Sequence, residues 1–249
     1  MQLSGTQVAT PETAPHYPQK GEGTHLLATQ EWKGFAGFAP SLGYPAGLTL
    51  FQQGAHLHEI YFINRGLIKL LHLDAEGREL IVNLRYPGCL LGAASVLLLR
   101  PCPVTAVTVT PCSLQRVSAA DFRQHLTVDP KLGWYLHQMQ SWEIYEQTAR
   151  LAQMGDRVVR HRLEEVLWQM LSVLAPDPSP AGVKVQLPLK DKEIAQLISA
   201  TPEHVSRLFK QLHEAGLVRR AKGWTIIPDP RRLWHADTPE RNYAYLDQN

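Results

Sequence analysis

The sequence predicts an α+β protein in three parts: an antiparallel β roll, a long dimerisation helix and a C-terminal winged helix-turn-helix. Three observations predict it. Short β-type segments recur at close spacing between Gly47 and Ser118, a proline-free helical pattern then runs for more than forty residues, and two short amphipathic helices precede a basic hairpin near the end.

The β segments are Leu48 to Gln52, Ile60 to Asn64, Leu67 to Leu73, Glu79 to Leu84, Val104 to Thr110 and Ser113 to Val117, separated by Gly54, Gly66, the Asp74 to Gly77 turn and Pro87-Gly88. Strands at such regular short spacing make a sandwich or barrel. A helix begins at Ser118 or Ala119, breaks at Asp129-Pro130 and resumes at Lys131, with no proline until Pro176. That length exceeds an ordinary globular helix, so a hinge is expected at Gly155-Asp156, dividing a helix that ends near Met154 from one spanning about Asp156 to Leu174. The first of these carries Leu132, Trp134, Tyr135, Leu136, Met139, Trp142, Ile144 and Tyr145 around most of its circumference. Such a helix seeks burial on several sides. Packing on the β roll and on a second copy would supply it, with Leu132, Leu136, Met139 and Ile144 as the expected dimer contacts; a core helix in a monomer is the alternative. Pro176 to Gly182 reads as a loop and Lys184 to Leu189 as a short strand.

At 249 residues the chain has room for two domains, with 44% apolar and 19% charged residues, a globular balance. No apolar run reaches the roughly 18 residues that span a bilayer. Met1 to Thr24 is polar and lacks the basic start and apolar stretch of a secretory signal, so a cytoplasmic protein with no membrane partner is expected. The expected organisation is a disordered arm at 1–24, a β-roll sensor domain at 25–128, the dimerisation helix and hinge at 129–155, the winged helix domain at 156–234 and a flexible tail at 235–249. Cys89, Cys102 and Cys112 lack close Cys-x-x-Cys spacing and read as buried thiols in a reducing compartment. Charge is distributed unevenly: residues 156–234 carry 13 basic against 9 acidic side chains, while 1–155 balance at 11 each. That surplus fits a polyanionic partner.

In the last third, Asp191 to Leu197 reads as a short helix opening with a capping Asp, and Ala195 lets a second helix approach closely. Ile198 to Ala200 makes the turn. Thr201 then serves as N-cap, Pro202 occupies the first helical position, and Glu203 complements the positive end of the helix dipole. Val205, Leu208, Phe209 and Leu212 fall on one face, leaving the opposite face polar. Gly216 ends the helix, and Leu217 to Arg220 with Trp224 to Ile227 form a wing around Ala221-Lys222-Gly223. In a major groove, Arg207 can grip guanine bidentately, Glu203 can accept from cytosine, and Ser206 can serve either base type. Thr201, His204, Lys210, Arg219, Arg220 and Lys222 are expected on phosphates. Double-stranded DNA is therefore the expected partner.

These features resemble the family of bacterial regulators that includes the cyclic-AMP receptor protein and the fumarate and nitrate reduction regulator. The matching residues are Phe51 to Gly54, Tyr61 to Gly66, Asp74 to Leu80, Pro87 to Gly92 and Thr201 to Arg207. The resemblance spans about residues 40–232. It implies a cyclic-nucleotide-binding-like β roll and a homodimer on a palindromic site, and such a regulator would also meet RNA polymerase. The spacing Glu203-x-x-Ser206-Arg207 resembles the fumarate and nitrate branch, implying half-sites of the TTGAT type, with Pro202 and His204 as departures. By the same resemblance Gly92, Ala93, Val104 and Thr105 line the effector pocket. Cyclic-AMP binders of the family place Glu after the glycine and an Arg-Ser pair later; here Ala93 and Cys102 to Ala106 stand there. Usual cyclic-AMP binding is therefore not expected.

Other readings stay open for the sensor. It could be ligand-independent, with the apolar run Ala93 to Leu99 filling the pocket, or take a small apolar effector. No cofactor is expected, with haem as an alternative on His16, His25, His56, His58 or His72. His56-Leu-His58 also resembles the metal dyad of a cupin, yet Phe62 and Ile63 stand where its glutamate belongs. No Ser-His-Asp or phosphate-loop pattern occurs, so no catalytic residue and no metal ligand is nominated, and the protein is not expected to be an enzyme.

Overall fold

The computed structural model describes residues 40–154, 159–175, 182–229 and 232. The expected arm, tail, hinge at Gly155-Asp156 and most of the Pro176 loop lie outside the described residues, as do His16 and His25.

Alternation of apolar and polar residues between positions 42 and 118 folds this stretch into two four-stranded antiparallel sheets. One has the order β1 (Leu42–Tyr44), β8 (Cys112–Ser118), β3 (Glu59–Arg65), β6 (Leu90–Leu91). The other has the order β2 (Thr49–Phe51), β7 (Thr105–Thr108), β4 (Ile68–Leu73), β5 (Glu79–Arg85). Ile63 and Leu114 of the first sheet share one buried cluster with Phe51, Ile68, Leu70 and Ala106 of the second, so the sheets face each other. Each predicted strand is present with edges shifted by a residue or two. β1, β6 and a short helix α1 (Ala93–Leu98) are additions, too short for periodicity to reveal. The β4–β5 ladder passes from Leu70↔Asn83 to Leu71↔Ile81, leaving Val82 as an extra residue that bends the strand.

Helix α2 (Ala119–Val128) starts where the Ser118 hydroxyl accepts from the Asp121 N–H at 3.0 Å and donates to its carboxylate at 2.7 Å. Asp129 ends it and starts the next, accepting from the Lys131 N–H at 2.9 Å ahead of helix α3 (Pro130–Met154). Leu132 and Leu136 correct the expected dimer face. They are 4% and 5% exposed and pack against Phe122, Ile60 and Ala93 of their own chain, with Met139 partly buried beside them. The face that carries them is taken by the β roll and α2, through Ile60, Phe62, Val117 and Phe122. Trp134, Ile144 and Tyr145 remain outward, at 58%, 66% and 47% exposed respectively.

The C-terminal part comprises α4 (Val159–Leu174), β9 (Val183–Val185), α5 (Asp191–Leu197), α6 (Pro202–Glu214), β10 (Arg219–Ala221) and β11 (Trp224–Ile227). The three strands form a sheet in the order β10-β11-β9. Leu163, Leu167 and Met170 of α4 meet Ile194, Ile198, Val205, Leu208 and Ile227 in a single core. β9 is shorter than predicted, its ladder ending at Val185 ahead of a bend at Pro188 and Leu189.

This core continues into the β roll through buried Leu67 and Leu84. Around that apolar seam, Lys69 of β4 pairs with Glu193 of α5 at 2.7 Å. The Gln196 side chain accepts from the Ile81 N–H at 3.2 Å and donates to the Glu79 carbonyl at 3.3 Å. At the other end of β5, Arg85 pairs with Glu143 of α3.

Candidate nucleic-acid interface

The start of α6 is fixed by local chemistry. The Thr201 hydroxyl accepts from the His204 N–H at 3.2 Å, and Pro202 opens the helix where an N–H would have no partner. Thr201 thus has a capping role as well as the exposed position a phosphate contact needs. Val205, Leu208, Phe209 and Leu212 are buried, while Glu203, Ser206, Arg207, Lys210 and Gln211 are exposed and His204 is half-buried. The helix ends with Gly216 in the left-handed region at φ 69°, its N–H donating to the His213 carbonyl and that of Leu217 to Leu212, both at 2.9 Å. Both ends are therefore closed without touching the polar face.

On that face the Glu203 carboxyl lies below the usual carboxylate range. Its own backbone N–H and the Thr201 hydroxyl hold it there, with the Arg207 charge adding. Glu203 and Arg207 are four residues apart and so neighbour each other on the helix. The pair presents an acceptor beside a forked donor.

The first helix departs from expectation at its cap. Asp191 is the first residue of α5, while the N-cap position is Lys190, whose N–H donates to Glu193 at 2.9 Å. Burial pushes the Glu193 carboxyl up, but the bonds from Lys190 and Lys69 and their charges outweigh it and leave it lowered. Asp191 is thereby released for another task. Its Oδ2 accepts from the Arg220 Nη1 at 2.9 Å, its Oδ1 lies in ion-pair contact 2.9 Å from Nη2, and the Arg220 guanidinium lies 4.3 Å from the centre of the Phe209 ring. Arg220, expected on a phosphate, instead ties the wing to α5 and α6. The signal was in the strand period: Arg220 pairs with buried Thr225, and Arg219 with Ile226, so the two arginines face opposite sides.

Arg219 and Lys222 are exposed. Lys222 and Gly223 form the two-residue connection between Ala221 and Trp224, with φ of 51° and 80°. That is the positive-φ geometry a tight hairpin demands. Lys184 of β9 places its ammonium 4.7 Å from the Trp224 ring on the wing's outer side. The first turn of the motif holds a similar compromise, with Ser199 at φ 51° between α5 and α6.

The nominated pocket residues gather less polar chemistry. Gly92 precedes α1 at φ 84°, where a Cβ would meet Leu57 at 2.5 Å. Ala93 is 7% exposed and packs into the cluster of Ile60, Phe62 and Val96. Thr105 accepts from the Gln53 N–H at 2.9 Å, and Val104 is half-buried against the roll's core. Nearby, Cys102 is buried and donates to the Ser95 hydroxyl at 3.4 Å. Burial pushes all three cysteine thiols up. None of Gly92, Ala93, Val104 and Thr105 carries a charge. His56 and His58 are exposed, and His72 contacts the Pro103 carbonyl at 3.3 Å. Among the described residues no group of three His, Cys, Asp or Glu stands close enough to hold a metal, and no helix is long and apolar enough to cross a membrane.

Comparison with known proteins matches residues 42–129 to the cyclic nucleotide-binding domain and residues 161–236 to the Crp-like helix-turn-helix domain. The chain is 25% identical over 187 residues to the cAMP-activated global transcriptional regulator CRP of Pasteurella multocida, covering 74% of this chain and 87% of that one. Its fold is similar to that of FixK2 from Bradyrhizobium japonicum, with a TM-score of 0.67 at 20% identity over 81% of this chain and 98% of that one. A transcriptional regulator of the CRP/FNR family from Thermus thermophilus aligns with a TM-score of 0.64 at 21% identity, over 78% of this chain and 96% of that one.

Proposed function

Because the chain belongs to the CRP/FNR family of bacterial transcription regulators, we propose that it binds a palindromic, TTGAT-like site as a cytoplasmic homodimer, two copies of α6 entering successive major grooves. The observation that carries this is the exposed row of Glu203, Ser206 and Arg207 on a helix whose opposite face and both ends are locked. A side chain can discriminate bases only if its backbone does not yield. Arg207 takes guanine, Glu203 cytosine, and Ser206 the base between; Thr201, His204, Lys210, Arg219 and Lys222 hold phosphates. Trp134, Ile144 and Tyr145 on α3 form the dimer contact, a stripe of large apolar side chains turned away from the β roll. The protein is a regulator without catalysis, its polymerase contact following from its family.

The sensor works without cyclic AMP. Ala93 buried among apolar side chains supports this, since the hydroxyls of a ribose would find no acceptor there. The test is fluorescence anisotropy with a TTGAT palindrome and a scrambled duplex, with and without cyclic AMP. Tight binding to the palindrome alone, unchanged by the nucleotide, is expected. Equal affinity for both duplexes would end the sequence-specific reading, and a nucleotide-dependent gain would end the sensor reading.

A further inference from the structure

We propose that strand β5 is a strut between the long helix α3 and the helix-turn-helix, and that Gln196 and Lys69 are positioning residues setting the angle at which α6 is presented. This rests on the reading of α6 as a DNA reader. β5 is the outermost strand of its sheet, paired on one side only by β4, so its outward N–H and C=O groups have no ladder partner. Gln196 supplies one. Its terminal amide contains an acceptor and a donor side by side, and it uses both, on the Ile81 N–H and the Glu79 carbonyl, as a neighbouring strand would. Alanine could do neither, and glutamate would set a carboxylate against a carbonyl.

A second anchor prevents rotation about that point. Lys69 and Glu193 are only 23% and 18% exposed, and the other Glu193 oxygen holds the Lys190 N–H at the start of α5. The axis of α5 is thus referred to the sheet at both ends. At the far end of β5, Arg85 is 17% exposed and pairs with Glu143 on α3. A seven-residue strand spans about 20 Å and resists compression along its length, so a shift of α3 reaches α5 through it. With both anchors made, Glu203, Ser206 and Arg207 are all exposed. The docked arrangement thus leaves the reading face accessible, as the strut requires.

The experiment uses the full-length wild type, Gln196→Ala, Arg85→Ala and the double variant. Amide hydrogen exchange and affinity for palindromic and scrambled duplexes are measured on each. Gln196→Ala should expose the Ile81 amide to exchange and lower affinity for the palindrome by about tenfold, leaving the scrambled duplex unchanged. Arg85→Ala should also speed exchange at Ile81 from the far end of the strand. The double variant should lose no more palindrome affinity than the more affected single one. Lys69→Gln, which keeps most of the side-chain length without the charge, should repeat the direction with a smaller change. Additive losses, a gain in affinity, or slow exchange at Ile81 in Arg85→Ala would each overturn the strut. If the wild type ignores the palindrome, the DNA reading fails, yet exchange at Ile81 in Arg85→Ala still decides the strut.

Discussion

The two ends of this molecule solve opposite problems. At the reading end, α6 spends its apolar residues on anchoring and leaves charge outside, where a large external ligand can reach it. At the sensing end, α1 turns Ala93, Ser95 and Val96 inward, and the residues around Gly92 offer shape with little charge. A surface that must discriminate bases is built of donors and acceptors held rigid. Around Gly92 this chain packs apolar side chains, Ala93 with Ile60 and Val96, and Leu57 close against the glycine itself.

The largest test of that contrast introduces the acidic residue expected of the family's cyclic-AMP binders. Ala93→Glu should destabilise the chain by about 3 kcal/mol, seen as a lower midpoint in urea, because a carboxyl would enter an apolar cluster without a donor. A neutral effect would mean the site still accommodates polar ligands. At the other end, Arg207→Ala should cost about 2 kcal/mol on a TTGAT palindrome and relax the preference at one base pair, with little change on scrambled DNA. Similar losses on both duplexes would make Arg207 a phosphate contact, removing the distinction between reading face and wing.

The fold was legible wherever a local period or a turn residue determined it. Ser118, Asp129, Thr201, Pro202 and Gly216 fix helix ends through neighbours in sequence, and those ends stand where the sequence places them. The exposure of Glu203, Ser206 and Arg207 was equally legible, following from the stripe opposite them. What escaped depends on distant partners. Leu132 and Leu136 carry the same apolar signal whether they meet a second copy or their own β roll, and Arg220 reads as a free cation until Asp191 and Phe209 are brought beside it. No periodicity could show Gln196 meeting β5, since those residues are more than a hundred positions apart.

Smaller tests concern how the reading end is held. Arg220→Ala removes the Asp191 pair and the Phe209 contact together and should lower stability by about 1 kcal/mol, the partly exposed ion pair contributing the lesser share. Its DNA salt dependence should stay near that of the wild type, whereas Lys222→Ala should reduce the salt slope by about one unit. A flattened slope in Arg220→Ala would return that residue to the phosphate contacts. Smallest is Ser199→Gly, which relieves the positive φ of the turn and should raise stability by about 0.5 kcal/mol after the loss to unfolded-chain entropy, read as a small rise in Tm.

The guanidinium of Arg220 touches strand, first helix and second helix at once, so these pieces share one fate on unfolding. Amides in the wing ladder and in α6 should open with a common free energy, and the hairpin should not fray ahead of the helix as an appended ribbon would. With Arg219 and Lys222 on phosphates as proposed, the same sharing would carry a strain on the wing to the pitch of the helix that faces the bases.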